Sequence, residues 1–340
     1  MDQLFSPFQI KNLELKNRVV MPPMCQYSVT KEDGTPNDWH YTHYVSRAVG
    51  GSALVIVEMT NIEPDGRISN NCLGFWSDEQ IPAYKKIVDA VHEQGSKIAI
   101  QIAHAGRKAE DAETPVAPSA IRFSDKYKEP HALSTEEVKE MVDKFRQSVR
   151  RAVAAGFDAI ELHGAHGYLI HQFHSHYTNK RDDEYGELTR FGTEVVKAAK
   201  SEMPADMPLI MRISATEFVE EGYQLPDGIE LAKAYKEAGV DMFHVSAGGE
   251  GAIAPSRNPG GHAGYMVPFA RAMREALEVP VLAVGRLEDA HLADSIIGNQ
   301  DADLVAVGRG MLRDPYWAIR AARELGQEIE VPVQYEGGFA

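Results

Sequence analysis

Residues 280–310 read PVLAVGRLEDAHLADSIIGNQDADLVAVGRG. The stretch opens with an apolar run over 280–284, passes through helical spacing over 289–297, and returns to an apolar run over 303–307. Each run leads into the same four residues, Ala-Val-Gly-Arg at 283–286 and again at 306–309. Strands that are apolar at nearly every position are buried on both faces, as in a parallel sheet covered by helices.

The same unit repeats along the chain. Further strands are predicted at 17–21, 53–59, 97–103, 157–162, 208–213 and 240–246, making eight in all. Helical patterns fall between them at about 40–49, 81–94, from 134 onward, 191–202, 227–238, 267–277 and 314–325. Ser134 followed by Glu137 is a capping-box signature, and Gly50-Gly51, Gly95, Gly156 and Gly239 stop helices just before the next strand. Strict alternation of eight strands and helices points to an α/β fold of the (β/α)8 TIM-barrel type, with 1–340 as a single domain. A doubly wound open sheet is the runner-up, but it usually carries a glycine-rich phosphate turn after its first strand. Here that place holds Met21-Pro22-Pro23-Met24-Cys25. The opening region, 1–16, reads as a hairpin over the barrel bottom, built from Leu4 to Lys16. The tail spans 326–340. The long irregular stretch 105–133 is either a loop over the barrel mouth or surface decoration.

Composition narrows the function. The chain has 340 residues, 44% of them hydrophobic, with a net charge of −15. Such an acidic chain is repelled by nucleic-acid backbones and anionic membrane surfaces. Two cysteines, Cys25 and Cys72, are too few for a disulfide framework or a four-cysteine iron–sulfur site. The first residues lack a basic segment followed by an apolar one, and no run approaches the roughly 20 apolar residues of a membrane span. A cytoplasmic enzyme is the expectation.

In a barrel of this kind the site lies at the C-terminal ends of the strands. Those ends carry Pro23 to Tyr27, Thr60, Gln101, His163, His166, Tyr168, Arg212, Gly285-Arg286 and Gly308-Arg309. The glycines of the twin turns let a ligand approach the backbone, and loops after strands seven and eight commonly bind phosphate. Arg286 or Arg309 would add charge-assisted contacts; the plainer reading is two tight turns with surface arginines. Gln101 can donate to and accept from a ring imide edge, and Arg212 can stabilise charge on a reduced heterocycle. Each could equally be a polar residue satisfied within the core. His163 and His166 can both donate to one oxygen, and Tyr168 offers a proton. That set suits hydride addition to a polarised C=C bond. The competing reading is a metal-dependent hydrolase or lyase, since His163, His166, His171, His174 and His176 are dense and Glu161 is near. For the last three histidines, hydrogen bonding within the loop is the simpler expectation.

The opening LFSPFQIKNLELKNRVVMPPMCQYS, the run GSKIAIQIAHAGRKAE, the segment HGAHGYLIHQF and the closing VGRGMLRDPYWA together resemble the bacterial thermophilic-like branch of the Old Yellow Enzyme family. The resemblance covers nearly the whole chain. It implies a non-covalent FMN, with NADPH or NADH as reductant and electrophilic alkenes as substrates. It places Pro23, Met24, Cys25, Thr60, Gln101 and Arg212 around the isoalloxazine, and Gly285, Arg286, Gly308 and Arg309 near the ribityl phosphate. It makes Cys25 a tuner of the flavin and Tyr168 the proton donor. His163 and His166 become ligands of the substrate oxygen, Tyr27 lines the pocket, and Lys108 lies near it. No metal is implied, and the assembly is expected to be a homo-oligomer, dimer or tetramer. Two departures stand out. Relatives of this branch end in a tyrosine followed two places later by an arginine that reaches a neighbouring subunit's site; here Tyr335 is followed by Glu336-Gly337. The run at 183–191 is also shortened, which predicts a looser loop over 180–191.

Overall fold

A computed structural model describes residues 3–339; the first two residues of the expected hairpin region and the last residue of the tail lie outside it. Eight strands close into a barrel in which each pairs with the next in sequence and the eighth with the first. They run Val19–Met21, Leu54–Asn61, Lys97–Ala103, Ala159–Gly164, Leu209–Ser214, Met242–Ser246, Val281–Ala283 and Leu304–Ala306. Every neighbouring pair is parallel. All eight predicted strands are present, and the closed sheet replaces the open alternative.

Strand periodicity divides the barrel interior into two chemistries. Val20, Leu54, Ala99, Ala159, Ile210, Met242, Leu282 and Leu304, one from each strand, form a single buried apolar cluster that Leu13 and Leu15 complete from below. Those two leucines belong to an antiparallel hairpin, Phe8–Ile10 with Leu13–Leu15, which closes the bottom as expected. Two residues farther along a strand, the side chain points the same way. That step takes Ala99 to Gln101, Ala159 to Glu161, Ile210 to Arg212 and Met242 to His244. On strands three to six the upper interior is therefore polar, whereas the same step on strands two and eight reaches Ile56 and Ala306. In strand two the register shifts between Val57 and Thr60, so Glu58 and Met59 together oppose Gln101, a bulge that re-aims the strand end.

The outer helices bury one face each. Thr135–Ala155 starts with the predicted capping box, Ser134 and Glu137 each accepting the other's backbone N–H. It ends at Gly156, whose φ of 92° suits glycine. Three short helices among the described residues escaped the periodicity reading: Leu169–His174, Gly308–Arg313 and Glu336–Phe339. Six residues are too few for a 3.6-residue period to register. The helix expected at 314–325 begins only at Trp317.

The loop over 180–191 is not loose, contrary to expectation. Tyr185 is fully buried, and its hydroxyl donates to Glu194 at 2.9 Å. Asn179 Nδ2 bonds the Tyr185 carbonyl at 2.8 Å, and Arg181 ties Asp183 to the carbonyls of Pro118 and Leu133. In the tail, Tyr335 packs edge-on against Tyr316 of the same chain, with ring centroids 5.7 Å apart. Among the described residues no helix is long and apolar enough to cross a membrane. Ser134→Ala should lower stability by about 1 kcal/mol through loss of the cap; chemical denaturation of the holoprotein reads this as an earlier midpoint with unchanged slope.

Candidate functional site

A cavity of about 360 Å³ opens at the C-terminal end of the barrel, lined among others by Pro23, Met24, His166, Arg212, Gly285, Arg286, Gly308 and Arg309. The twin turns thus share one cavity wall with the loop after strand one. Gly285 has φ 124°, and a Cβ there would lie 3.1 Å from Met266. A Cβ on Gly308 would meet Met24 Sδ at 3.4 Å. Both glycines keep the wall open for a ligand. Arg286 and Arg309 are exposed at its rim.

Gln101 and Arg212 sit where strand periodicity sends them. Gln101 donates to Glu161 at 2.8 Å, and the other Glu161 oxygen meets His244 Nδ1 at 2.8 Å. Glu161 is thereby occupied within the barrel and does not serve the histidines of the following turn. Arg212 Nε is buried with no hydrogen-bond partner, and so is His244 Nε2. A buried guanidinium nitrogen left unpaired is costly unless an acceptor fills the space above it. Burial, together with the nearby Arg212 charge, holds His163 and His166 well below the usual imidazole range. Both are therefore neutral rings.

The turn after strand four gathers the remaining chemistry. The His163 and His166 rings stand edge to face with centroids 5.1 Å apart, and His163 lies 4.9 Å from Tyr168. Ala165 N–H reaches His163 Nδ1 at 3.3 Å, which assigns the His163 proton to Nε2. His166 Nε2 pairs with Ser246 Oγ at 2.7 Å, leaving Nδ1 as its other polar atom. Burial raises the Tyr168 phenol far above its ordinary value, so it stays protonated. Lys108 lies over the Tyr168 ring at 4.9 Å and over Phe123 at 4.5 Å. Burial lowers its ammonium to about 8.

Other predicted residues fall nearby. Cys25 packs beside Tyr168 against Met59, Ile68 and Cys72, and burial pushes its thiol up. Tyr27 is half exposed and adopts φ 50°, a conformation tyrosine seldom takes without support. Thr60 is fully buried and bonds the Glu58 carbonyl at 2.8 Å.

The histidine cluster does not gather around a metal. His174 bonds Tyr235 at 2.8 Å and His176 bonds the Glu221 carbonyl at 2.7 Å. His171 meets Glu217 at 2.9 Å. Among the described residues, the one compact group of possible ligands is His171 with Glu217 and Glu250. Gly167 N–H points at His171 Nδ1 at 3.0 Å, so that nitrogen is bare and Nε2 carries the proton. Arg107 pairs Glu250 Oε1 at 2.9 Å, and Glu250 Oε2 lies 3.8 Å from His171 Nε2.

Several functional neighbours escaped the sequence reading. Arg107 is 2% exposed, and it bonds Glu250 as well as the carbonyls of Ile121 and Arg122. It thereby ties the 105–133 stretch to the loop after strand six. Glu58 accepts Gln26 N–H at 2.8 Å and Tyr44 Oη–H at 2.5 Å, anchoring the segment that carries Cys25. A charged residue within or just past an apolar strand was the available signal for both.

A family model described as the NADH:flavin oxidoreductase / NADH oxidase family matches residues 3–328. The chain belongs to that family. It is the family that the quoted motifs resemble, with FMN as cofactor and a nicotinamide as reductant. The NADPH dehydrogenase of Listeria monocytogenes serotype 4b (strain CLIP80459) is 48% identical over 339 residues, 98% of each chain. The NADPH dehydrogenase of Bacillus subtilis (strain 168) is 46% identical over 341 residues, 99% of each chain. Among solved structures, morphinone reductase aligns with a TM-score of 0.81 at 28% identity, over 97% of this chain and 91% of that one.

Burial raises Glu58 from 4.5 to about 7. A carboxyl whose folded value is raised contributes stability that is complete below the unfolded value and lost as pH climbs through the folded one. Wild type should therefore lose stability relative to Glu58→Gln between pH 4.5 and about 7, by on the order of 3 kcal/mol. Denaturation midpoints of the two proteins across that window would check it; parallel curves would exclude a titrating Glu58.

Proposed function

We propose that this chain is an FMN-dependent ene-reductase acting on α,β-unsaturated carbonyl or nitro compounds. The observation that carries the reading is the turn His163–Tyr168, which sets two neutral imidazoles and a protonated phenol beside the unpartnered Arg212. The comparisons support it: the full-length relatives are named NADPH dehydrogenases, and morphinone reductase has been solved with tetrahydroNAD.

The residues fit FMN. Pro23, Met24, Cys25, Thr60, Gln101 and Arg212 would surround the ring, with Arg212 Nε meeting its acceptor edge. Gly285, Arg286, Gly308 and Arg309 would hold the phosphate end, where the glycines leave room and the arginines supply charge. Bound there, FMN supplies the two-electron chemistry, taking hydride from NADPH or NADH and giving it to the alkene β-carbon in a ping-pong cycle.

The chain's own residues then do three things. His163 Nε2–H and His166 donate to the substrate's carbonyl or nitro oxygen and stabilise the negative charge that grows there. Being neutral, they donate without giving up a proton. Tyr168 delivers its proton to the α-carbon, and the Lys108 ammonium over its ring stabilises the phenolate left behind. The 105–133 loop, pinned by Arg107, keeps water from competing. Tyr27 lines the substrate space and Cys25 tunes the flavin. The reading includes a cytoplasmic homo-oligomer, as the resemblance implies.

The deciding experiment is an anaerobic visible spectrum of the purified protein. Flavin bands should bleach with NADPH and return with 2-cyclohexenone; a colourless protein that takes up no FMN would end the reading. Tyr168→Phe should slow reoxidation by the enone about 10²- to 10⁴-fold while leaving reduction by NADPH nearly intact. Equal loss in both halves would remove Tyr168 as the donor. Replacing His163 and His166 together should weaken binding of a phenolate ligand by roughly tenfold or more, measured from the loss of its perturbation of the flavin spectrum.

A further inference from the structure

One peptide group lies between the two halves of the proposed chemistry. It joins His166, which would hold the substrate oxygen, to Gly167, which precedes the proton donor Tyr168. Both of these residues are left-handed, with φ 61° at His166 and 71° at Gly167. For histidine that conformation is uphill and persists only when neighbours enforce it. A Cβ on Gly167 would fall 2.4 Å from the Gly249 carbonyl, so the turn is packed tightly against the loop after strand six.

Both polar ends of that peptide are held. Its carbonyl, on His166, accepts from Lys108 Nζ at 2.9 Å. Its N–H, on Gly167, donates to His171 Nδ1 at 3.0 Å. The opposite nitrogen of His171 donates to Glu217 Oε1 at 2.9 Å, and Glu217 Oε2 accepts Tyr223 N–H at 2.9 Å. His171 and Glu217 are both fully buried. The carboxylate fixes the imidazole in the Nε2–H tautomer, and that tautomer is the one able to accept from Gly167.

We propose that His171, oriented by Glu217, is a positioning residue that clamps the His166–Gly167 peptide and so aims the Tyr168 phenol at the substrate α-carbon. The inference rests on Tyr168 being the proton donor. Releasing the N–H lets the peptide rotate toward a right-handed arrangement, and the residues on both sides swing with it. Tyr168 has no other device acting on that peptide N–H.

The test uses the FMN-loaded enzyme and 2-cyclohexenone. His171→Leu removes the acceptor while keeping an apolar side chain of comparable reach; His171→Asn keeps an acceptor at the Nδ1 position. The Leu variant should slow flavin reoxidation by about 10- to 100-fold, the effect of a misplaced reacting group. The Asn variant should recover to within about threefold. In a Tyr168→Phe background, His171→Leu should add less than about a twofold loss, because the two changes remove the same step. Equal slowing by Leu and Asn would overturn the clamp, as would a loss that multiplies in the Tyr168→Phe background. A Tyr168→Phe enzyme as fast as wild type would instead overturn the assignment of Tyr168, and the clamp with it. Nitrogen NMR of the histidine-labelled wild-type holoenzyme gives a reading independent of any variant's folding. A bare Nδ1 on His171 supports the clamp, and a protonated Nδ1 excludes it.

Discussion

The polar upper layer of the barrel interior is the constraint from which the site follows. A strand turns every second side chain inward. Below, that face is Ala, Leu, Ile, Val and Met; above, on strands three to six, it is Gln101, Glu161, Arg212 and His244. Buried polar groups must be paired or they destabilise the fold. The Gln101–Glu161–His244 chain meets this demand in part, with His244 Nε2 left over. Arg212 Nε has no partner either. The interior thus presents the Arg212 guanidinium as a buried donor without an acceptor. The apolar floor, sealed by Leu13 and Leu15, gives that layer a rigid base.

Above this layer, buried charge organises the loops. Arg107 comes from the loop after strand three, His171 from the helix after strand four, Glu217 from the loop after strand five and Glu250 from the loop after strand six. Arg107 with Glu250, and His171 with Glu217, join these four connections in pairs. The first is an ion pair and the second a hydrogen bond from the His171 Nε2–H; a buried ion pair adds little net stability over an apolar replacement, yet breaking one costs about 3–5 kcal/mol. Such pairs are better understood as fixing arrangement. Here they fix the 105–133 stretch through the carbonyls that Arg107 holds, and the His163–Tyr168 turn through the Gly167 N–H. Burial in the same neighbourhood keeps His163 and His166 neutral and Tyr168 protonated.

The loop over 180–191 shows why a deletion relative to a family pattern is a poor guide to mobility. Its anchors lie in the residues that are present. Tyr185 still fills a buried space, and Arg181 still reaches two backbone carbonyls. Order in a connection is set by its few buried contacts and not by its length.

Sequence alone determined the eight strands, their order around a barrel, the hairpin beneath and the Ser134 cap, because each depends on local periodicity or on a local hydrogen bond. It also pointed to candidate site residues, since a strand's end is legible and barrel sites gather at those ends. Tertiary structure alone decided what those residues are to one another. Glu161 belongs to Gln101 and His244, not to a metal. The histidines disperse to Glu217, Tyr235 and a backbone carbonyl. Arg107 and Glu250, far apart in sequence, meet in the dark of the core. The physical reason is range: periodicity and capping act over a few residues, whereas pairing and desolvation depend on which distant side chains the closed barrel brings within hydrogen-bond reach.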